Sequence, residues 1–172
     1  MSSGGDVTSR SAQDIPPRAS CSPRTLEAVA NPLILFIEDE PSICVAVKRL
    51  LERYDFTVRI ANSYASAVAE VRAEHFDAVA IDFWLRRVSG DRVGRGDELY
   101  RELVAIDDAL AHRIVFVTGD PSEPTRQRIA DTGAMYLLKP FEIGLLVNAL
   151  HAILQAEGTR GETRSVENSR TA

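Results

Sequence analysis

The fold is indicated by the stretch LILFIEDEP at residues 33–41. Five apolar residues come first, and their length and composition are typical of a strand that is covered on both faces of a sheet. Two acids, Glu38 and Asp39, follow directly, and Pro41 suits the first turn of a helix. The stretch therefore predicts a buried strand, an acidic turn and a helix in that order, which is how an alternating α/β fold begins.

The same alternation continues to about residue 155. Further apolar runs predict four more strands, at residues 57–60, 78–81, 114–117 and 135–138. The stretches between and after the strands have helical spacing and predict five helices. Ser63 is a candidate N-cap for the second helix, and Gly133 a candidate stop signal for the fourth, which we place at roughly 122–132. Five strands alternating with five helices predict an α/β fold, a doubly wound parallel sheet with helices on both faces.

We expect one domain at residues 32–156 with a terminal segment on each side. Residues 1–31 and 157–172 are rich in small and polar residues, so they cannot bury enough surface to offset their ordering entropy, and we predict disorder in both. Neither a membrane-spanning apolar run nor a secretory signal is recognisable, which favours a cytoplasmic protein without membrane contact. Cys21 lies in the leader and Cys44 on an apolar helix face, a pattern that does not predict a disulfide.

The net charge of −5 falls on the middle of the chain. Residues 1–31 and 156–172 each contain as many acids as bases, so the excess negative charge belongs to the predicted domain. This distribution argues against nonspecific binding of nucleic acid and fits a site for a cation.

Chemically active residues follow the predicted strands at one end. Glu38 and Asp39 follow the first strand, Asp82 the third, Thr118 the fourth and Lys139 the fifth. Parallel strands bring their carboxyl ends to one edge, where such sheets bind ligands. Carboxylates held close together repel one another, so they need a cation, and oxygen ligands favour Mg²⁺. A carboxylate beside a metal can attack phosphorus and form an acyl phosphate, while a lysine and a hydroxyl bind the phosphoryl oxygens.

Four ordered motifs resemble those of the response-regulator receiver family. They are IEDEPSI at 37–43, AIDFWL at 80–85, FVTGDP at 116–121 and YLLKPF at 136–141. The resemblance covers about residues 33–155 and implies a flavodoxin-like sheet with strand order 2-1-3-4-5.

The resemblance also implies a role for each acid. Asp82 would be the phosphoryl acceptor and a metal ligand, and Asp39 would bind Mg²⁺ directly. Glu38 would act on the metal through water. The backbone carbonyl of Trp84 would be a further metal ligand.

The remaining motif residues would bind the phosphoryl group and respond to it. By the resemblance, Lys139 and Thr118 bind the phosphoryl group, and the peptide bond between Lys139 and Pro140 is cis. Thr118 and Tyr136 would be the switch residues. Together they would change the face formed by the fourth helix, the fifth strand and the fifth helix.

Two features depart from the family pattern. Arg86 stands where the family usually has proline, and about six residues appear to be inserted before the helix that starts at Gly96. The segment 86–95 is basic and contains glycine. Its simplest interpretation is a solvated loop, which we favour, and the alternative is a segment that docks a partner or covers the active site.

The resulting hypothesis is a stand-alone response regulator, a signalling domain rather than an enzyme. It would take a phosphoryl group from a sensor histidine kinase or a histidine phosphotransfer protein, assist that transfer and its own slow dephosphorylation, and then contact a downstream protein. About 17 residues follow the last predicted helix, so we expect no DNA-binding domain. One alternative is a receiver-like binding module with weak or no phosphorylation. A less favoured alternative is an aspartyl-phosphate hydrolase, which needs a second acid where Trp84 stands.

Overall fold

The computed structural model describes residues 31–86 and 93–168 of the 172-residue chain. The described residues form seven strands, five α-helices and a short 3₁₀ helix at Asp108–His112. The strands are β1 (Leu33–Ile37), β2 (Thr57–Ala61), β3 (Ala78–Asp82), β4 (Trp84–Arg86), β5 (Val93–Arg95), β6 (Ile114–Thr118) and β7 (Met135–Leu138). The α-helices are α1 (Pro41–Glu52), α2 (Tyr64–Ala73), α3 (Gly96–Ile106), α4 (Glu123–Ala130) and α5 (Ile143–Asn168).

The main sheet is parallel and has the strand order β2-β1-β3-β6-β7. This is the predicted order 2-1-3-4-5. The strands β4 and β5, which lie between β3 and β6 in the sequence, form a separate two-stranded sheet, so β6 and β7 are the fourth and fifth strands of the main sheet. All five predicted strands are present, and each lies within one residue of its predicted bounds. The predicted flavodoxin-like α/β fold is therefore confirmed.

Helices cover both faces of this sheet, as the near-continuous apolar strands predicted. Successive side chains of a strand point to opposite faces. Along β1, Leu35 and Ile37 belong to the core shared with α2 and α3, whereas Ile34 and Phe36 belong to the core shared with α1 and α5. Every residue of β3 and of β6 is buried. Because β1 and β3 are parallel neighbours, their acidic carboxyl ends lie side by side at one edge of the sheet.

Local sequence signals set the helix ends. Pro41 opens α1, where its fixed φ is compatible with a helix and its missing N–H would have no partner. Ser63 caps α2 in a reciprocal arrangement with Ser66, since each side chain accepts a hydrogen bond from the other residue's backbone N–H. Gly133 follows α4 with a φ of 73°, a conformation that glycine adopts without strain. The predicted cap and stop signal are thus confirmed.

The inserted segment begins and ends in a β-hairpin, which the sequence analysis did not predict. Trp84–Arg86 pairs antiparallel with Val93–Arg95, and residues 87–92 lie outside the described residues. Three-residue strands that contain arginine are too short and too polar to stand out as strand patterns. The interpretation of this segment as a solvated loop is therefore wrong at its two ends.

The predicted domain limits, residues 32–156, stay a prediction. The N-terminal segment predicted to be disordered lies outside the described residues up to residue 30, and so do residues 169–172. Helix α5 continues to Asn168, past the predicted domain end at 156. The composition of the tail, rich in small and polar residues, favoured an earlier end. No helix in the described part of the chain combines the length and the apolar character needed to cross a membrane.

Candidate functional site

Three carboxylates meet where β1 and β3 end. Glu38 and Asp39 directly follow β1, and Asp82 is the last residue of β3. Ile37 pairs with Ile81 in the register of the two strands, which brings the next residues, Glu38 and Asp82, side by side. Carboxylate oxygens of the three acids all lie within 4.8 Å of one another. The predicted acidic cluster is therefore present, and its oxygens are close enough to share one cation.

This cluster is largely shielded from solvent. Glu38 is 2% exposed and Asp82 is 8% exposed. Burial raises the pKa of Glu38, a hydrogen bond from Lys139 partly counteracts this, and the negative charge of Asp82 raises the pKa further. The ionised form of these buried carboxylates is therefore energetically unfavourable, and a positive charge in the pocket that they form stabilises it.

Lys139 supplies one positive charge. Its Nζ donates to Glu38 Oε2 at 2.6 Å and to Asp82 Oδ2 at 2.8 Å. Its backbone N–H donates to the carbonyl of Thr118 at 2.7 Å, and its peptide bond to Pro140 is cis, as the resemblance implied. Burial by itself lowers the pKa of Lys139, but the hydrogen bonds to the two carboxylates outweigh it, so the pKa is raised. The lysine is therefore protonated at neutral pH, one cation against three acids.

Thr118 and Tyr136 occupy neighbouring strands. Thr118 ends β6 and is fully buried, and its hydroxyl accepts a hydrogen bond from the backbone N–H of Asp120 at 3.1 Å. Tyr136 pairs with Phe116 in the sheet and is 38% exposed. The switch roles of these two residues stay predictions.

Trp84 joins the pocket through its backbone. Its N–H donates to Asp82 Oδ1 at 3.2 Å, while its ring is 40% exposed and packs edge-on against Phe83 at a centroid distance of 5.3 Å. The N–H contact restrains the Asp82 carboxylate from the side of the hairpin. The role of the Trp84 carbonyl as a metal ligand stays a prediction.

The Asp120 carboxylate is held more firmly than its sequence context indicated. Its carboxylate accepts from the Thr125 hydroxyl at 2.6 Å and from the Ser122 backbone N–H at 2.9 Å. The bond from Thr125, followed by those from Ser122 and a smaller one from the Trp84 side chain, lowers the pKa of Asp120. An Asp followed two residues later by Ser is a recognisable turn signal, but nothing in the sequence indicated the part played by Thr125.

Cys44 is a buried residue of α1 that lies next to the backbone of Glu38. It is buried with Val47 and Leu51 on one face of α1, as the sequence predicted. Its Sγ donates to the carbonyl of Glu38 at 3.1 Å. Burial, together with the charge of Glu38, raises the pKa of this thiol, which therefore stays protonated and structural.

The chain belongs to the response regulator receiver domain family, whose sequence profile matches residues 34–151. Receiver domains are signalling modules of two-component systems, so the class of protein that the motifs indicated is confirmed.

Several relatives and solved structures agree with this assignment. The transcriptional regulatory protein ZraR of Escherichia coli (strain K12) is 28% identical over 138 residues, which are 79% of this chain and 30% of ZraR. The nitrogen assimilation regulatory protein NtrX of Azorhizobium caulinodans is 27% identical over 135 residues, 78% of this chain and 28% of NtrX. The chain thus spans less than a third of the length of these relatives.

Solved receiver domains share the fold. A CheY-like receiver domain protein from Methanospirillum hungatei superposes with a TM-score of 0.67 at 22% identity, covering 75% of this chain and 98% of that one. The HemR receiver domain of Leptospira biflexa gives a TM-score of 0.60 at 26% identity, with 72% of this chain and 94% of that one covered.

Proposed function

We propose that this receiver domain accepts a phosphoryl group on Asp82 from a phosphohistidine donor, in a pocket that binds Mg²⁺. The observation that carries the proposal is the contact of Lys139 with Asp82, made beside two further carboxylates within 4.8 Å. A structural ion pair would need one acid for one base, whereas this pocket holds two more acids than a single lysine neutralises.

The donor set fits Mg²⁺. The candidate ligands are carboxylate oxygens of Asp39 and Asp82, with Glu38 acting through water and the Trp84 carbonyl completing the set. Carboxylate oxygens within 4.8 Å of one another would bind the same Mg²⁺ ion after small side-chain movements, since Mg²⁺ prefers oxygen ligands. When bound, the ion would neutralise charge on the phosphoryl oxygens and on the acceptor.

Asp82 is the group that reacts. One of its carboxylate oxygens forms a bond to phosphorus while the phosphorus–nitrogen bond of phosphohistidine breaks, and the imidazole leaves with that electron pair. Lys139 is protonated and already in contact with Asp82. Its ammonium group would bind an oxygen of the incoming phosphoryl group and neutralise its charge. Slow hydrolysis of the acyl phosphate would return the domain to its starting form.

Thr118 and Tyr136 would pass the change to a protein surface. The Thr118 hydroxyl would leave the Asp120 N–H and bond the phosphoryl group, opening space for the Tyr136 ring. The surface consists of α4, β7 and α5, and it exposes the apolar residues Met135, Tyr136, Leu138 and Leu145. Exposed apolar groups of this kind mark interaction sites. A downstream protein is the proposed partner, with a sensor histidine kinase or a histidine phosphotransfer protein as donor.

The net charge of −5 argues against nucleic acid as a direct partner of this domain, and a cytoplasmic location agrees with a phosphohistidine donor. The regulatory activity of ZraR and NtrX belongs to proteins that are more than three times as long as the matched region.

Incubation with acetyl phosphate and Mg²⁺, followed by intact mass measurement, tests the proposal. The chain should gain about 80 Da, one phosphoryl group. Asp82→Asn and a chelator should each abolish the gain, and Asp39→Asn should weaken Mg²⁺ binding sharply. If the wild-type chain gains no mass but still binds its partners, the alternative of a binding module without phosphorylation would be favoured.

A further inference from the structure

A second charged cluster lies beside the hairpin, centred on Asp97. This residue is in the first turn of α3 and is fully buried. Three guanidinium groups surround its carboxylate, at 3.2 Å from Arg95 Nε, 3.4 Å from Arg101 Nη1 and 3.8 Å from Arg128 Nη1. A buried carboxylate is unfavourable unless it is paired, so these arginines are what permits its burial.

The cluster joins three elements. Arg95 ends β5, Arg101 lies one turn along α3, and Arg128 lies in α4. The first turn of α3 is itself held against the residues that follow β3, because the Gly96 N–H donates to the carbonyl of Phe83 at 2.7 Å. Phe83 directly follows Asp82 in the chain. Asp97 therefore connects the neighbourhood of the acceptor to α4, a helix of the proposed output surface.

The three ion pairs are not equivalent. Arg95 and Arg101 are near neighbours of Asp97 in sequence, so they stay close to it whatever α4 does. The pair with Arg128 crosses from α3 to α4, has the longest distance of the three, and involves an arginine whose side chain is 45% exposed. This pair can open without leaving Asp97 alone, since two guanidinium groups remain beside the carboxylate.

We propose that the ion pair between Asp97 and Arg128 is a latch, which holds α4 in the position described here and opposes its movement when Asp82 is phosphorylated. The inference rests on the proposed function, since it concerns how the same acceptor is regulated. An interaction made in only one of two arrangements lowers the affinity for any ligand that favours the other arrangement. Partly exposed ion pairs of this kind change such an equilibrium by roughly twofold to fivefold.

The test measures how tightly the domain binds beryllium trifluoride, a mimic of the phosphoryl group, in the presence of Mg²⁺. Arg128→Gln should lower the Kd roughly twofold to fivefold, because the latch is gone. Arg126→Gln is the matched control: Arg126 lies in the same helix, its side chain is 46% exposed, and it pairs with Glu123 of α4 itself at 2.7 Å. Its variant should bind the mimic as the wild type does.

Two further readouts separate a latch from a general change in stability. Arg128→Lys retains a positive charge and should restore most of the wild-type affinity. Added salt screens exposed ion pairs, so it should bring the affinities of the wild type and Arg128→Gln closer together.

The outcomes separate the latch from the function on which it rests. If the wild type neither binds the mimic nor accepts a phosphoryl group, the proposed function fails, and the latch fails with it. If the wild type does both, but Arg128→Gln binds the mimic no more tightly than Arg126→Gln, the latch alone is refuted.

Discussion

Gly96 lies where α3 meets Phe83, the residue after Asp82, and the space there excludes a side chain. A Cβ atom added at this position would lie 3.0 Å from the Cα of Phe83 and 3.1 Å from a ring carbon of Phe116. The first of these neighbours is backbone, held by the hydrogen bond from Gly96, and the second is a fully buried ring. Gly96→Ala must therefore displace α3, Phe83 or the Phe116 ring.

The expected cost follows from two opposing effects. Forcing an extra methyl group into a packed core costs about 1–3 kcal/mol. Replacing glycine by alanine inside a helix returns up to about 1 kcal/mol, and less at the first helical residue. We therefore expect Gly96→Ala to lower the free energy of unfolding by roughly 1–2 kcal/mol, or the Tm by about 3–8 °C.

Gly144→Ala is the matched control, since it makes the same chemical change near the start of α5. A Cβ there would have no neighbour within 4 Å, so this variant should be as stable as the wild type or more stable by up to about 1 kcal/mol. Urea unfolding followed by circular dichroism measures both. Equal stabilities for the two variants would refute the steric argument. Because Phe83 follows Asp82, Gly96→Ala should also slow labelling by acetyl phosphate.

Three further predictions concern the pocket and its surface. Trp84→Asn should shorten the lifetime of phosphorylated Asp82 about tenfold or more, equivalent to about 1.4 kcal/mol in the barrier, because the large indole shields the phosphoryl group from water; an unchanged decay rate by intact mass would show that it does not. Thr125→Val removes the principal hydrogen bond that lowers the pKa of Asp120, so this pKa should rise toward its ordinary value of 3.8. In the wild type, the stabilisation from ionised Asp120 is present above pH 3.8 and is lost as the pH falls through the lowered pKa of the folded state. The Thr125→Val variant should therefore lose less stability than the wild type as the pH falls below 3.8. A carboxyl NMR titration measures the pKa of Asp120, with Thr125→Ser as control, and equal titration of the two variants would contradict this prediction. A phosphoryl mimic at Asp82 should perturb amide signals at 121–146 more than those of α2, and shifts confined to the pocket would argue against the proposed output surface.

Most of the fold could be predicted from the sequence because burial on both faces leaves a strong pattern. The strands at Ala78–Asp82 and Ile114–Thr118 are apolar until their last residue, and that last residue is polar: Asp82 of the acidic cluster and Thr118, a predicted site residue. A polar residue at the end of an apolar run therefore indicated both where the strand ends and which residue is a candidate for the site. The acidic cluster followed from topology alone.

The parts that sequence could not predict depend on contacts between distant residues. Asp97 has the sequence context of an ordinary acid at a helix start, and its burial among arginines depends on how α3 and α4 pack. The same holds for Thr125, whose partner is five residues away across a turn. The hairpin at Trp84–Arg86 was missed because its strands are short and basic.

Identifying the residue that carries the phosphoryl group tests the proposed function most directly. After incubation with acetyl phosphate and Mg²⁺, borohydride reduces an aspartyl phosphate to homoserine, and peptide mass spectrometry then locates the modified residue. We expect homoserine at position 82 alone, with none when Mg²⁺ is chelated. Homoserine at position 39, or a phosphorylated chain in which position 82 remains aspartate, would contradict it.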